Sequence, residues 1–83
     1  MDDKTISFSL GSKDRNSEIK RILAIVYNAL VQKGYEPINQ IAGYILSEDP
    51  TYITTHNDAR KLIQRIDRDE LLKAMIRSYL SNW

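Results

Sequence analysis

Four groups of side chains in this sequence could do chemistry. The single histidine, His56, stands beside Asn57 and Asp58, and the chain has no cysteine. A metal site needs several converging ligands, and neighbours one or two apart on a helix do not face each other. His56 is therefore expected to have a structural or contact role in a first helical turn, with no metal and no catalysis. Asp67, Asp69 and Glu70 form an acidic run that could suggest acid/base work, but Arg65 and Arg68 sit among them. Nothing apolar surrounds them to raise a pKa, so a solvated, mutually paired run is expected. Arg60, Gln64 and Arg68 recur at spacing four, with Lys61 and Arg65 adjoining. On a helix this is one basic face. It is either an ordinary polar face opposite Leu62, Ile63 and Ile66 or a docking face for an acidic partner, a phosphothreonine or nucleic acid. Finally, Thr5, Ser7, Ser9 and Ser12 are hydroxyls near the N-terminus. Each is a candidate phosphate acceptor, and their chemistry alone does not rank them. No phosphate-cradling glycine loop, dinucleotide fingerprint or nucleophile elbow is present. The chain reads as a non-enzyme with no cofactor.

The elements that must position these groups belong to one small domain. The chain has 83 residues, and a chain of this size buries only about 60% of its unfolded surface. Its core is therefore marginal on its own. An apolar fraction of 42% argues against wholesale disorder. A net charge of +1 gives no general pull toward nucleic acid or anionic lipid. The lack of cysteine excludes disulfides and thiolate chemistry. No apolar run approaches the ~20 residues of a membrane span, and Met1-Asp2-Asp3-Lys4 does not open a signal peptide. A cytoplasmic protein with no membrane insertion is expected.

The stretch from Gly34 to Leu46 organises the chain. Gly34 suits the left-handed residue just past a helix end, and Pro37 suits a first helical position. Ile38, Ile41, Ala42, Ile45 and Leu46 then recur at helical spacing. Gly43 inside that helix costs about 1 kcal/mol against alanine. Such a glycine either is a tolerated surface residue or lets another backbone or a bulky ring come close. The helix predicted over 37–47 is short and mostly apolar, and it is expected to be the most buried element.

Before it, Ile19, Ile22, Leu23, Val26, Leu30 and Val31 predict a helix over 17–33, capped by Asn16 or Ser17. Ile25, Tyr27 and Ala29 widen its apolar stripe beyond what one neighbour covers, so a second buried contact is implied. A C2 homodimer through the first two helices would supply it. Residues 1–16 differ from the rest. Thr5, Ser7 and Ser9 alternate with Ile6, Phe8 and Leu10, which is strand periodicity. A lone strand is unstable, so this segment pairs with its copy, docks on the helices or stays mobile; a mobile tail with transient strand character is favoured.

After Asp49-Pro50, Thr55 and Asp58 have capping-box spacing for a third helix, with Ala59, Leu62, Ile63 and Ile66 as its apolar face. A last helix carries Leu71, Leu72, Met75, Ile76, Tyr79 and Leu80. The expected architecture is all-α: a bundle of about four helices over 17–83, forming a dimerisation and regulatory domain, behind the tail of residues 1–16.

The segments KGYEPINQIAGYILSEDP, HNDAR, DRDEL and SYL resemble the IreB/ReoM family of small regulatory phosphoproteins from Gram-positive bacteria. The resemblance runs from about Thr5 to Leu80, and its GY-x-PINQI-x-GY core is long and specific. It implies a helical homodimer that is phosphorylated on a tail threonine, matching Thr5, by a membrane Ser/Thr kinase with PASTA repeats. A partner phosphatase reverses this. It further implies control of peptidoglycan synthesis and cell-wall antibiotic tolerance. In some members the unphosphorylated form promotes Clp-protease degradation of UDP-N-acetylglucosamine enolpyruvyl transferase. A Clp-protease adaptor or that transferase is then a partner, and His56, Arg60, Lys61, Arg65 and Arg68 form the expected partner-binding set. The sequence departs from the family where Glu36 replaces a usual Asn, Glu48 a usual Gly, Thr54-Thr55 a common Pro-Arg pair, and Gln64 a frequent Arg. The basic face is thinner for it.

The alternative function is a small DNA-binding regulator, because a short helix, a break and a basic helix mimic a helix-turn-helix. Against it, the connector from Glu48 to Thr54 exceeds the usual three to four residues. The overall charge is also near zero, where DNA-binding domains are commonly basic. No nucleic-acid partner is expected.

Overall fold

The computed structural model describes the backbone of residues 2–81 and the side chains of residues 15–81. Four helices follow in chain order: α1 (Asp2–Gln32), α2 (Pro37–Ser47), α3 (Ala59–Ile63) and α4 (Arg68–Leu80). Two 3₁₀ turns, Pro50–Tyr52 and His56–Asp58, lie between α2 and α3. The described residues contain no strand. Asn16 and Ser17 lie inside α1 instead of capping it, since the helix begins at Asp2. The expected 1–16 segment, Thr5 included, has its side chains outside the described residues up to position 14.

The core forms on the stripe that helical spacing predicts. Ile19, Ile22, Val26, Ala29 and Leu30 of α1 form one core with Ile41 and Tyr44 of α2, Ala59 and Ile63 of α3, Leu71 of α4, and Ile53 and Ile66 of the connecting segments. Leu23 packs at its edge, whereas Tyr27 and Val31 are about half exposed. α1 is thus the central element. α2 is not the most buried one, contrary to its apolar composition. Only Ile41 and Tyr44 are buried in it, and Ile38 and Leu46 are 67% and 84% exposed. An apolar residue is buried only where a neighbour covers it, and α2 has neighbours on one side alone.

The α1–α2 corner is closed by backbone chemistry. Gly34 is left-handed, with φ +84°. Its N–H donates to the Val31 carbonyl at 3.0 Å, and the Tyr35 N–H to the Leu30 carbonyl at 2.9 Å. This pair of bonds satisfies carbonyls that the helix end leaves open. Pro37 then starts α2 as expected. Gly43 admits a ring: a Cβ there would lie 2.5 to 2.9 Å from Cε1, Cδ1 and Cζ of Tyr52. Tyr52 is held in place by its carbonyl, which accepts from Gln40 Nε2 at 2.9 Å.

The third helix is shorter than its sequence period suggests. The expected capping box does not form, since Thr55 makes no side-chain cap bond. Instead Thr54 Oγ1 accepts from the His56 N–H at 3.2 Å. Asn57 and Asp58 are both left-handed, with φ 55° and 60°, so α3 can start only at Ala59. It stops at Ile63, and Asp67, in an extended conformation, stands as the N-cap of α4.

Candidate functional site

The five residues that the sequence joins into one basic site are divided between two helices and two turns: His56 in a 3₁₀ turn, Arg60 and Lys61 in α3, Arg65 in the turn after it and Arg68 in α4. α3 ends before Gln64, so Arg60, Gln64 and Arg68 are not stacked on one helical face; Arg68 opens α4. Four of the five are already engaged within the chain.

His56, half-buried in the 3₁₀ turn, places Nε2 2.7 Å from Gln32 Oε1 at the end of α1. It is a contact residue joining two elements, and it has no acidic or histidine cluster around it among the described residues. Arg60 Nε donates to the Ile53 carbonyl at 2.8 Å, and the Arg60 N–H to the Thr54 carbonyl at 3.0 Å. These bonds hold the strand-like linker that plugs fully buried Ile53 into the core. Arg68 donates from Nη1 to the Ile45 carbonyl at 2.7 Å and from Nη2 to the Glu48 carboxylate at 2.6 Å. The Ile45 carbonyl lies in the last turn of α2, where carbonyls have no partner within the helix. A guanidinium there satisfies the carbonyl and sits well in the helix dipole. Glu48 is itself left-handed, φ 64°, and its N–H donates to the Tyr44 carbonyl. Burial pushes the Tyr44 hydroxyl above its ordinary pKa, and the Arg68 charge opposes part of that rise.

Arg65 points the other way, toward α1, and meets Glu18 at 3.1 Å. Glu18 also has Arg21 at 3.9 Å, and Arg15 pairs with Glu70. The mutual pairing expected within the acidic run does not form: Glu70 pairs with Arg15, Asp69 with Lys73 at 3.2 Å, and Arg65 and Arg68 turn to Glu18 and Glu48. Arg15, Glu18, Arg65, Asp67 and Glu70 line a shallow polar pocket of 290 Å³. Lys61 is exposed and makes no hydrogen bond or ion pair among the described residues.

Glu18, Gln32 and Glu48 are the residues that sequence reasoning missed. Each acts on a group far along the chain, such as Glu18 on Arg65, and no local pattern records such a pairing. A signal existed for Glu48 alone. It stands at a helix end where glycine is favoured, which marks a left-handed residue in need of support.

These side chains can brace loops and present positive charge, chiefly from Lys61 and Arg65. α3 rises only about 7 to 8 Å, too short to lie along a major groove as a recognition helix. No helix of the described residues is long and apolar enough to cross a membrane. The His56-Asn57-Asp58 turn, left-handed at Asn57 and Asp58, the Gly34 corner and Gly43 fall on the segments that carry the resemblance. The family model for the IreB regulatory phosphoprotein matches residues 3–81, nearly the whole chain, and the protein belongs to that family.

Proposed function

We propose that this regulatory phosphoprotein is a non-enzymatic adaptor switched by phosphorylation of Thr5. In this reading it is a cytoplasmic homodimer and the substrate of a PASTA-type Ser/Thr kinase and its phosphatase. It controls peptidoglycan synthesis and antibiotic tolerance through Clp-dependent turnover of UDP-N-acetylglucosamine enolpyruvyl transferase. The observation that carries the reading is the family match over residues 3–81. A site built of braced loops and exposed cations suits a binding protein.

Phosphate on Thr5 would add roughly 1.5 to 2 negative charges and three strong acceptors. The effector binds the face around Lys61 and Arg65 when Thr5 is bare, with His56, Arg60 and Arg68 shaping it from behind. The phosphate either folds the N-terminal segment over that face or repels an acidic partner, a local charge change with a binding readout. The test is incubation with a PASTA-type kinase and ATP, followed by intact mass. One added phosphate group, lost in Thr5→Ala, is expected. No mass gain, or a gain that persists in Thr5→Ala, would refute the assignment.

A further inference from the structure

We propose that the cleft between α1 and α4 is a docking groove for an acidic amphipathic helix of a partner protein. α4 sends one residue, Leu71, fully into the core, while the following Ala74 and Met75 are only half-buried. Between them and α1 lies an open-sided groove of 630 Å³. Its floor is apolar, built of Ile19 and Leu23 from α1 and Ala74 and Met75 from α4. Its rims carry Lys20 and Arg77, both exposed, and no acidic side chain among the described residues lines it.

The charge pattern selects the occupant. Arg15 pairs with Glu70, Arg21 and Arg65 with Glu18, Arg68 with Glu48 and Lys73 with Asp69, whereas Lys33, Arg60 and Lys61 meet no carboxylate among the described residues. Lys20 and Arg77 meet no carboxylate among the described residues, and they flank apolar surface. A ligand that fills the groove must bring carboxylates to the rims and apolar side chains to the floor. The walls select its form. Both are helices, and the described residues offer no strand edge to extend, so the peptide mode that fits is a helix laid in a groove, read at positions i, i+3 or i+4, and i+7. An apolar floor with two cations is a poor fit to nucleic acid, whose binding rests on many phosphate contacts.

The test uses the full chain and a fluorescein-labelled helical peptide with leucines at i, i+4 and i+7 and glutamates on both flanks. Saturable binding by anisotropy is expected, with methyl shifts at Leu23 and Met75. Affinity should fall about tenfold in Lys20→Glu with Arg77→Glu; both positions are exposed, so circular dichroism should be unchanged. Ala74→Phe, which fills the groove without altering charge, should weaken binding too. The proposal is overturned by no saturable binding to the wild type, by equal affinity for the same peptide with lysine flanks, or by an unchanged affinity in the charge-reversed variant. It is also overturned if the wild type is a dimer that the charge-reversed variant dissociates, since a second copy then fills the groove.

Discussion

Gly43 offers a test in which the sign of an effect, and not only its size, follows from the structure. Glycine within α2 forgoes about 1 kcal/mol of helix propensity relative to alanine. Yet a Cβ at this position would lie 2.5 Å from Tyr52 Cε1, 2.7 Å from Cδ1 and 2.9 Å from Cζ. Three atoms along one ring edge are violated, and Cδ1 is close to the point of attachment, so a small swing of the ring tip gives no relief. The whole ring must leave, while its backbone stays tied to Gln40. Overpacking of this kind costs roughly 1–3 kcal/mol. Against the propensity gain, Gly43→Ala should be destabilising by about 0–2 kcal/mol, and Gly43→Leu by about 1–3 kcal/mol. The reasoning is checked by urea unfolding in two backgrounds. In Tyr52→Ala the obstacle is gone, and Gly43→Ala should then stabilise the protein by up to about 1 kcal/mol. The coupling between neighbouring sites is what such a cycle isolates. If Gly43→Ala has the same sign and size in both backgrounds, the ring contact is not why glycine stands there.

Three further sets of substitutions and one solution measurement test the remaining contacts. At Glu48, whose left-handed backbone is strained for any side chain, Glu48→Gly should be more stable than Glu48→Ala by about 1 kcal/mol; equal melting temperatures would discount the strain. Arg60→Ala and Arg68→Ala each remove a charge-assisted bond to a main-chain carbonyl and should each cost roughly 1–2 kcal/mol, whereas Lys61→Ala with Arg65→Ala should cost under about 1 kcal/mol, as read by denaturant midpoints. Bonds from the Thr51 hydroxyl and N–H hold the Asp49 carboxyl below its usual pKa; a depressed folded pKa gives stability that is present above the unfolded pKa and lost as pH falls through the folded one, so Asp49→Asn should flatten the acid limb of the melting profile below about pH 4. The exposed Tyr27, Val31, Ile38 and Leu46 of α1 and α2 lead us to expect a homodimer by light scattering at micromolar concentration, and a strictly monomeric sample would refute it.

The sequence was most informative where one residue type answers one local need. Gly34 and Pro37 fix the α1–α2 corner because a positive φ and a missing N–H each leave few alternatives, and the bounds of α2 followed. The α1 stripe from Ile19 to Leu30 was readable because burial at period 3.6 repeats for several turns. The third helix was misread for a definite reason. Ala59 to Ile66 keeps helical spacing, but periodicity does not see the backbone. Asn57 and Asp58 adopt left-handed angles, which asparagine and aspartate tolerate better than most residues, and Asp67 turns extended before α4. Burial of α2 was overestimated because composition reports how apolar a helix is, not how many neighbours it has.

The same limit bears on the basic site. Spacing four suggested that Arg60 and Arg68 share a face and a ligand, yet each is directed at a carbonyl of its own fold, Ile53 and Ile45. Their positive charge is still near the surface, but their geometry is fixed by the loops they brace. Removing either disturbs the linker around Ile53 or the end of α2 before it disturbs any partner. A loss of binding on their truncation would therefore not separate contact from support. Lys61 and Arg65 differ in kind. Lys61 has no intramolecular partner among the described residues, and Arg65 meets only Glu18 in a pair that is largely solvent-exposed. Such a pair is worth little, so an incoming carboxylate or phosphate can replace Glu18 at small cost. In the proposed site, an incoming acid would thus meet charge first at Lys61 and Arg65. Arg60 and Arg68 brace the linker at Ile53 and the end of α2, so the proposed site would be two contact residues beside a braced frame and not a four-residue basic face.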